Sequence, residues 1–372
     1  MFLPYIQKTQ TLALLAAMQI CLLCFVKLSS SNTYQSHMQA QTELNKLFSA
    51  ICDTTNNQIN LEECGLLGKV NTNYTSKAGD EYSKLITLKK VFPNVFIHYL
   101  SQLGIKEGDT VAVGMTGSFP GANLAMYAAC NVMGIYPIAI NSVGSSSYGA
   151  NNEDLLFIDM ENILYEKGYI PNRSIAVSMG GLDDRGGYLI SNGDAQSSRD
   201  SALYKYVKNK IIDKEIEFIA YSDLMKSIER RNMLFDQSIN SNYKAYINIG
   251  GGIASLGINQ DSLYIMPSGI IQGPIENMIV EGVISEFQNL KVPIINIQNI
   301  VGIRNEFDIS PGSYIYDLDE YSVVGFIDRT KLNPVIVFCA WFISVFSIIF
   351  IGYQSFKQIK ERMKDIEPES VL

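Results

Sequence analysis

The run PVIVFCAWFISVFSIIFIGY, Pro334 to Tyr353, contains no charged residue. A helix of about 20 apolar residues crosses a bilayer, so this stretch predicts a transmembrane helix. Lys357, Lys360, Arg362 and Lys364 follow it, and the positive-inside rule puts that end in the cytoplasm. A second apolar run, TLALLAAMQICLLCFV from Thr11 to Val26, extends through Leu28 and is just long enough to span. A signal peptide competes for it. However, only Lys8 precedes it as a charge and no Ala-x-Ala cleavage pattern follows, so an uncleaved anchor is expected. Two spans put both termini on the inner side. The expected organisation is an anchor over 1–28, an extracytoplasmic domain over 29–333, a second span over 334–353 and a cytoplasmic tail over 354–372.

The remaining composition is that of a folded domain. Hydrophobic residues make up 47% of the 372 and charged residues 18%, enough apolar material for a large core besides the spans. Residues 29–333 carry 23 Lys+Arg against 33 Asp+Glu. With no basic run outside the tail, nucleic acid is excluded as a partner class. Of six cysteines, Cys52 and Cys64 lie close enough in sequence to form a disulfide in an oxidising compartment, whereas Cys130 sits in an apolar helix and reads as a buried thiol. There is no C-x-x-C pair for zinc, and two histidines are too few for a histidine-rich metal site.

Between the apolar runs, strand and helix patterns alternate. Residues 35–52 read as a helix continuing from the first span, which leaves His37 on an exposed stalk. Residues 87–104 have helical spacing, with Pro93 breaking the helix or starting its second part and Gly104 ending it. TVAVGM, YPIAINSV, SIAVSM, EIEFIAY, KAYINIG and VPIINI read as short buried strands. The helices between them are PGANLAMYAACNVMG, EDLLFIDMENILYEKG, SSRDSALYKYVKNKII, SDLMKSIERRNMLF and IENMIVEGVISEFQNL. This order predicts an α/β fold of Rossmann-like type, a mostly parallel sheet flanked by helices.

In such a sheet ligands bind beyond the carboxyl ends of the strands. The loops that follow strands are GMTGSFPG (114–121), NSVGSSSYGANN (141–152), SMGGLDDRGG (178–187) and NIGGGIASLG (248–257). Glycine-rich backbone admits a ligand closely and offers free N–H groups to anions, which nominates Thr116, Gly117, Ser118, Asn141, Ser142, Gly250, Gly251 and Gly252 as binding residues. Ser118 also reads as the N-cap of a helix with Pro120 in its first turn. As a nucleophile it would need a base, for which His98 is the candidate, with no sequence signature behind the pairing. The first loop is neither a Walker A loop nor G-x-S-x-G. The triple glycine 250–252 lacks dinucleotide spacing, and PSGIIQGP (267–274) reads as a further turn at the same edge. In the third loop Asp183, Asp184 and Arg185 lie between glycine pairs. Three readings are open: oxygen ligands from Asp183 and Asp184 for a divalent cation, Arg185 as a fork for a carboxylate, or an internal Asp–Arg pair.

The blocks GLLGKVNTNYTS, IKEGDTVAVGMTGSFPGANLA (105–125), NSVGSSSYGAN (141–151), the Gly-Gly-x-Asp-Asp-Arg-Gly loop and YINIGGG (246–252) resemble the poly-gamma-glutamate system protein family over most of residues 60–300. The resemblance implies an accessory of capsule polymer synthesis in a bacterial cytoplasmic membrane. It implies as partners a ligase, a multi-span membrane subunit and the poly-γ-glutamate chain, and it carries over no catalytic residue. Three functions follow as expectations: an accessory that helps assemble or export the polymer, an extracytoplasmic γ-glutamyl hydrolase or transferase, or a purely structural assembly factor. An acidic domain repels a polyanion on average, so the first requires a local positive rim.

Overall fold

The structure, a computed structural model, describes residues 9–52, 60, 62–186, 202–221, 223–238, 242–309 and 334–364. It divides into two compact units, residues 1–35 with 327–372, and residues 36–326. The smaller unit holds one long helix, α11 (Pro334–Lys364), and the first part of another, α1 (Thr9–Cys52). Within it the Ser344 hydroxyl donates to Gln19 Oε1 at 2.7 Å. Val337–Glu361 is long and apolar enough to cross a membrane, the one such segment among the described residues.

The larger unit is built around β1 (Thr110–Thr116), which is buried at every position. A strand with no wet face needs cover on both sides. Val111, Val113 and Met115 join a core formed with α3 (Pro93–Gln102), α4 (Pro120–Met133) and residues of α1. Ala112 enters the opposite core, against α7 (Leu224–Gln237) and α9 (Val283–Asn289). Around β1 lie β2 (Tyr136–Ser142), β3 (Ala176–Ser178), β4 (Glu217–Ile219), β5 (Tyr243–Ile249), β6 (Gly269–Ile271) and β7 (Ile294–Ile297). The sheet runs in the order β6-β7-β5-β1-β2-β3-β4. All neighbours are parallel except β6, which pairs antiparallel with β7 at the edge. The chain thus steps outward from β1 to β4, then returns to place β5 on the other flank of β1. The order reverses between β1 and β5, and Gly114 of β1 pairs with Ile140 on one side and Asn248 on the other.

Local signals explain the helix ends. Asp80 caps α2 (Glu81–Thr87) by accepting the Ser83 N–H, and Asp223 caps α7 by accepting the Met225 N–H. Pro93 and Pro120 open α3 and α4, where a missing N–H costs nothing. Gly134 ends α4 in the left-handed region at φ 66°. α5 (Phe157–Glu166), α6 (Ala202–Ile212), the single turn α8 (Ile253–Leu256) and α10 (Ile300–Phe307) complete the unit. A disulfide joins Cys52 at the end of α1 to Cys64, with 5.0 Å between their Cα atoms, and Cys130 is a buried free thiol.

Three sequence expectations are corrected. The predicted helix over 275–290 is a helix only from Val283; Met278–Glu281 is a strand pairing with Gly257–Asn259. Asn277 in the left-handed region and Gly282 in extended backbone bracket that strand, so the helical apolar spacing is coincidental. PSGIIQGP is not a turn, because its centre forms the edge strand β6. His37 is not on an exposed stalk; it is 2% exposed within the larger unit.

Burial, with neighbouring His98 adding to it, holds the His37 imidazole down to about 4. The unfolded chain takes up this proton near pH 6.5 and the folded one does not, so stability is lost as pH falls from about 6.5 to about 4. The shift corresponds to about 3 kcal/mol. Urea titrations of the full-length protein at stepped pH should show His37→Gln losing less stability than wild type over this window. Identical slopes would remove His37 from the account.

Candidate functional site

The four loops singled out in the sequence meet at the carboxyl edge of the sheet, over the reversal between β1 and β5. They enclose a crevice of about 180 Å³. Thr116 and Ser118 line it from the β1 loop, Ser142 and Gly144 from the β2 loop, Gly180, Gly181 and Leu182 from the β3 loop, and Gly251 and Gly252 from the β5 loop. The remaining wall is Ile253 with Ser76 and Lys77, the last from the short strand Thr75–Lys77, which pairs parallel with Ser145–Ser146. Among the described residues no acidic side chain lines it.

Close approach requires glycine at 250. Gly250 has φ 96°, and a Cβ there would lie 2.3 Å from Thr116 Oγ1. A Cβ on Gly251 would come within 2.9 Å of Lys77 Nζ, so this backbone passes directly beside the ammonium.

Beneath the crevice lies a buried ion pair. Arg231 Nη1 meets Asp184 Oδ2 at 2.7 Å, with side chains 5% and 3% exposed. Asp184 also accepts from the Ser178 hydroxyl at 2.7 Å and the Ser227 hydroxyl at 2.5 Å. Arg231 Nη2 donates to Ser178 Oγ at 2.7 Å, and the Ser178 and Ser142 hydroxyls lie 3.0 Å apart. Both carboxylate oxygens are therefore occupied, which is what a buried charge needs. Asp183 is held separately by Arg185, 2.6 Å away at the partly exposed lip. Of the three readings of this loop, the internal Asp–Arg pair is the one formed. Asp184 pairs not with its sequence neighbour but with a helix far along the chain. Arg185, so engaged, is not on the crevice wall, and the cation reading is left without a ligand set. Among the described residues no group of three or more His, Cys, Asp or Glu side chains is placed to hold a metal ion. Asp183 and Asp184 both have positive φ, at 51° and 62°, a conformation that Asp tolerates better than most residues.

Other expected site residues find other work. Ser118 is not the N-cap of α4. Phe119 holds that position, and the Ser118 hydroxyl accepts the Ser146 N–H at 3.1 Å. His98 packs edge-on to Phe307 of α10 and is not a hydrogen-bond partner of Ser118. Gly117 is structural: its N–H bonds Ser142 and its carbonyl accepts from Ala150 and Ser145. Asn141 is 1% exposed and does not line the crevice. Thr116, Ser118, Ser142, Gly251 and Gly252 do line it, with Gly250 packed behind Thr116.

Sequence reasoning missed Lys77, Arg231 and Lys84. Arg231 and Ser227 occupy buried positions of the α7 stripe Leu224, Ser227, Ile228, Arg231, Phe235; polar residues at core spacing were the available signal. Lys84 of α2 is 2% exposed, with Nζ donating to Ser146 Oγ at 2.7 Å and lying 3.6 Å from the Phe119 ring centroid. Burial, reinforced by Lys77 and opposed by Asp80, holds its ammonium down to about 7.

No protein-family model, curated protein or solved structure matches the chain.

Arg231→Met strands a buried carboxylate and should cost about 3–5 kcal/mol of stability. Arg185→Met, at the partly exposed pair, should cost less than about 1 kcal/mol. Denaturant unfolding of both variants checks this, and equal costs would contradict the two roles.

Proposed function

We propose that the chain is a membrane-anchored accessory of poly-γ-glutamate synthesis or export, whose extracytoplasmic domain seats glutamate carboxylates of the growing polymer in the crevice. The observation that carries this reading is electrostatic. In a domain with an acidic average charge, the crevice at the strand reversal has hydroxyl, glycine backbone and lysine on its walls and, among the described residues, no acid. Lys77 stands at the wall and Lys84 behind it. This supplies the local positive rim that a polyanion requires, at the position where open α/β sheets bind ligands.

Further observations support the setting. The hydrogen bond from Ser344 to Gln19 favours two helices packed within one bilayer, and the basic residues after the second favour both termini inside. The Cys52–Cys64 disulfide favours an oxidising compartment for the domain. The ligase and the multi-span membrane subunit of the synthase are the proposed partners. A hydrolase or transferase would need a base beside its serine; the Ser118 hydroxyl instead receives a backbone N–H, which favours binding over catalysis.

The test is deletion of the gene in its own host, with poly-γ-glutamate measured separately in cytoplasm, membrane, surface and medium. Deletion should reduce surface and released polymer. Wild type should restore it fully, Ser118→Ala, which removes one wall hydroxyl, in part, and Lys77→Glu poorly. Longer chains on deletion, reproduced by Ser118→Ala, would replace this reading with the hydrolase. Unchanged polymer in every fraction would end it.

A further inference from the structure

Lys84 lies behind the crevice without a counter-ion. Its ammonium has Ser146 Oγ and the face of Phe119 as contacts, and among the described residues no carboxylate is in ion-pair contact with it. Asp80, at the start of the same helix, attracts it from a distance, but that carboxylate accepts both the N–H and the hydroxyl of Ser83. From the strand Thr75–Lys77, Lys77 repels it. From α10, Arg304 is turned to the Tyr82 ring, and Glu306 accepts the Tyr99 hydroxyl at 2.7 Å. Among the described residues, neither a neighbouring strand nor a neighbouring helix places a carboxylate in ion-pair contact with it.

The position of Lys84 links it to the crevice. The residue that accepts its hydrogen bond, Ser146, donates its N–H to Ser118 Oγ, and Ser118 is a crevice wall. Phe119, under the ammonium, is the next residue. Lys77, which opposes its charge, is on the same wall. A negative group in the crevice would therefore act on both lysines at once, on Lys77 directly and on Lys84 through the buried Ser118 and Ser146, where screening by water is weak.

We propose that Lys84 is a proton-linked counter-charge of the crevice: a carboxylate seated against Lys77 and Ser118 binds together with a proton that Lys84 takes up. This rests on the reading of the crevice as a carboxylate site. Without ligand, burial and Lys77 divide Lys84 between amine and ammonium near neutral pH. A bound anion favours the ammonium, and linkage requires that protonation favour the anion equally. One proton passes from solvent to the Lys84 amine, and no bond in the ligand changes. Affinity should fall as pH rises above about 7, by up to about tenfold per pH unit. A ligand loaded under acidic conditions would be released under alkaline ones.

The test is calorimetry on the full-length protein in detergent, with a short γ-linked glutamate oligomer and, separately, glutarate as probes. Each titration is run in buffers of different protonation enthalpy and from about pH 6 to about pH 9. The expected result for wild type is net proton uptake above neutrality and weakening affinity as pH rises. Lys84→Arg, always charged, should bind without uptake and with a flatter profile. Lys84→Met should bind more weakly, also without uptake. Binding without proton uptake, or a Lys84→Arg profile equal to wild type, overturns the inference while leaving the carboxylate site standing. Proton-linked binding of glutarate with no binding of the oligomer supports the inference and removes the polymer reading. No binding of either probe overturns both.

Discussion

The central strand β1 is buried at every position, and most of the architecture follows from covering it. Its alternate side chains face two different cores, so helices must pack on both sides of the sheet. Its backbone must also find ladder partners on both edges, and β2 and β5 provide them. Because β2 follows β1 directly and β5 arrives only after the chain has gone out to β4, the loops leaving β1 and β5 diverge. The crevice is the gap between them. The site is a consequence of strand order rather than of any one motif.

Two kinds of charge occupy this edge, and they are handled differently. The Arg231–Asp184 pair is buried and fully bonded through three serine hydroxyls. It holds the β3 loop to α7 and leaves little for a ligand to use. Lys84 is equally buried, but a hydroxyl and a ring are its contacts. A saturated network rigidifies, whereas an uncompensated cation retains attraction for an anion. That difference points to the lysine side of the crevice, rather than the acidic third loop, as the place where a ligand gains most.

Much of the framework is legible in the sequence because its signals are local. Pro93, Pro120 and Gly134 mark helix ends through their own φ restrictions, and the Val/Ile-rich runs are strands because nothing else fits their length and burial. Local signals fail where periodicity is ambiguous. The segment over 275–290 has helical apolar spacing, yet four of its residues pair as strand with Gly257–Asn259, a partner that spacing cannot reveal. Ser118 has the composition of a cap, but a backbone N–H from the next loop claims its hydroxyl.

The sequence by itself determined that the chain has a long uncharged helix near its end, that the intervening domain is α/β, and that glycine- and serine-rich loops follow its strands. These are properties of contiguous residues. Only the tertiary structure decided which loops share a crevice, that Asp184 belongs to Arg231 and Asp183 to Arg185, and that Lys77 lies on a wall with no acid among the described residues and Lys84 behind it. Those outcomes depend on strand order and on contacts between residues far apart in the chain, where burial rather than neighbourhood sets the charge balance.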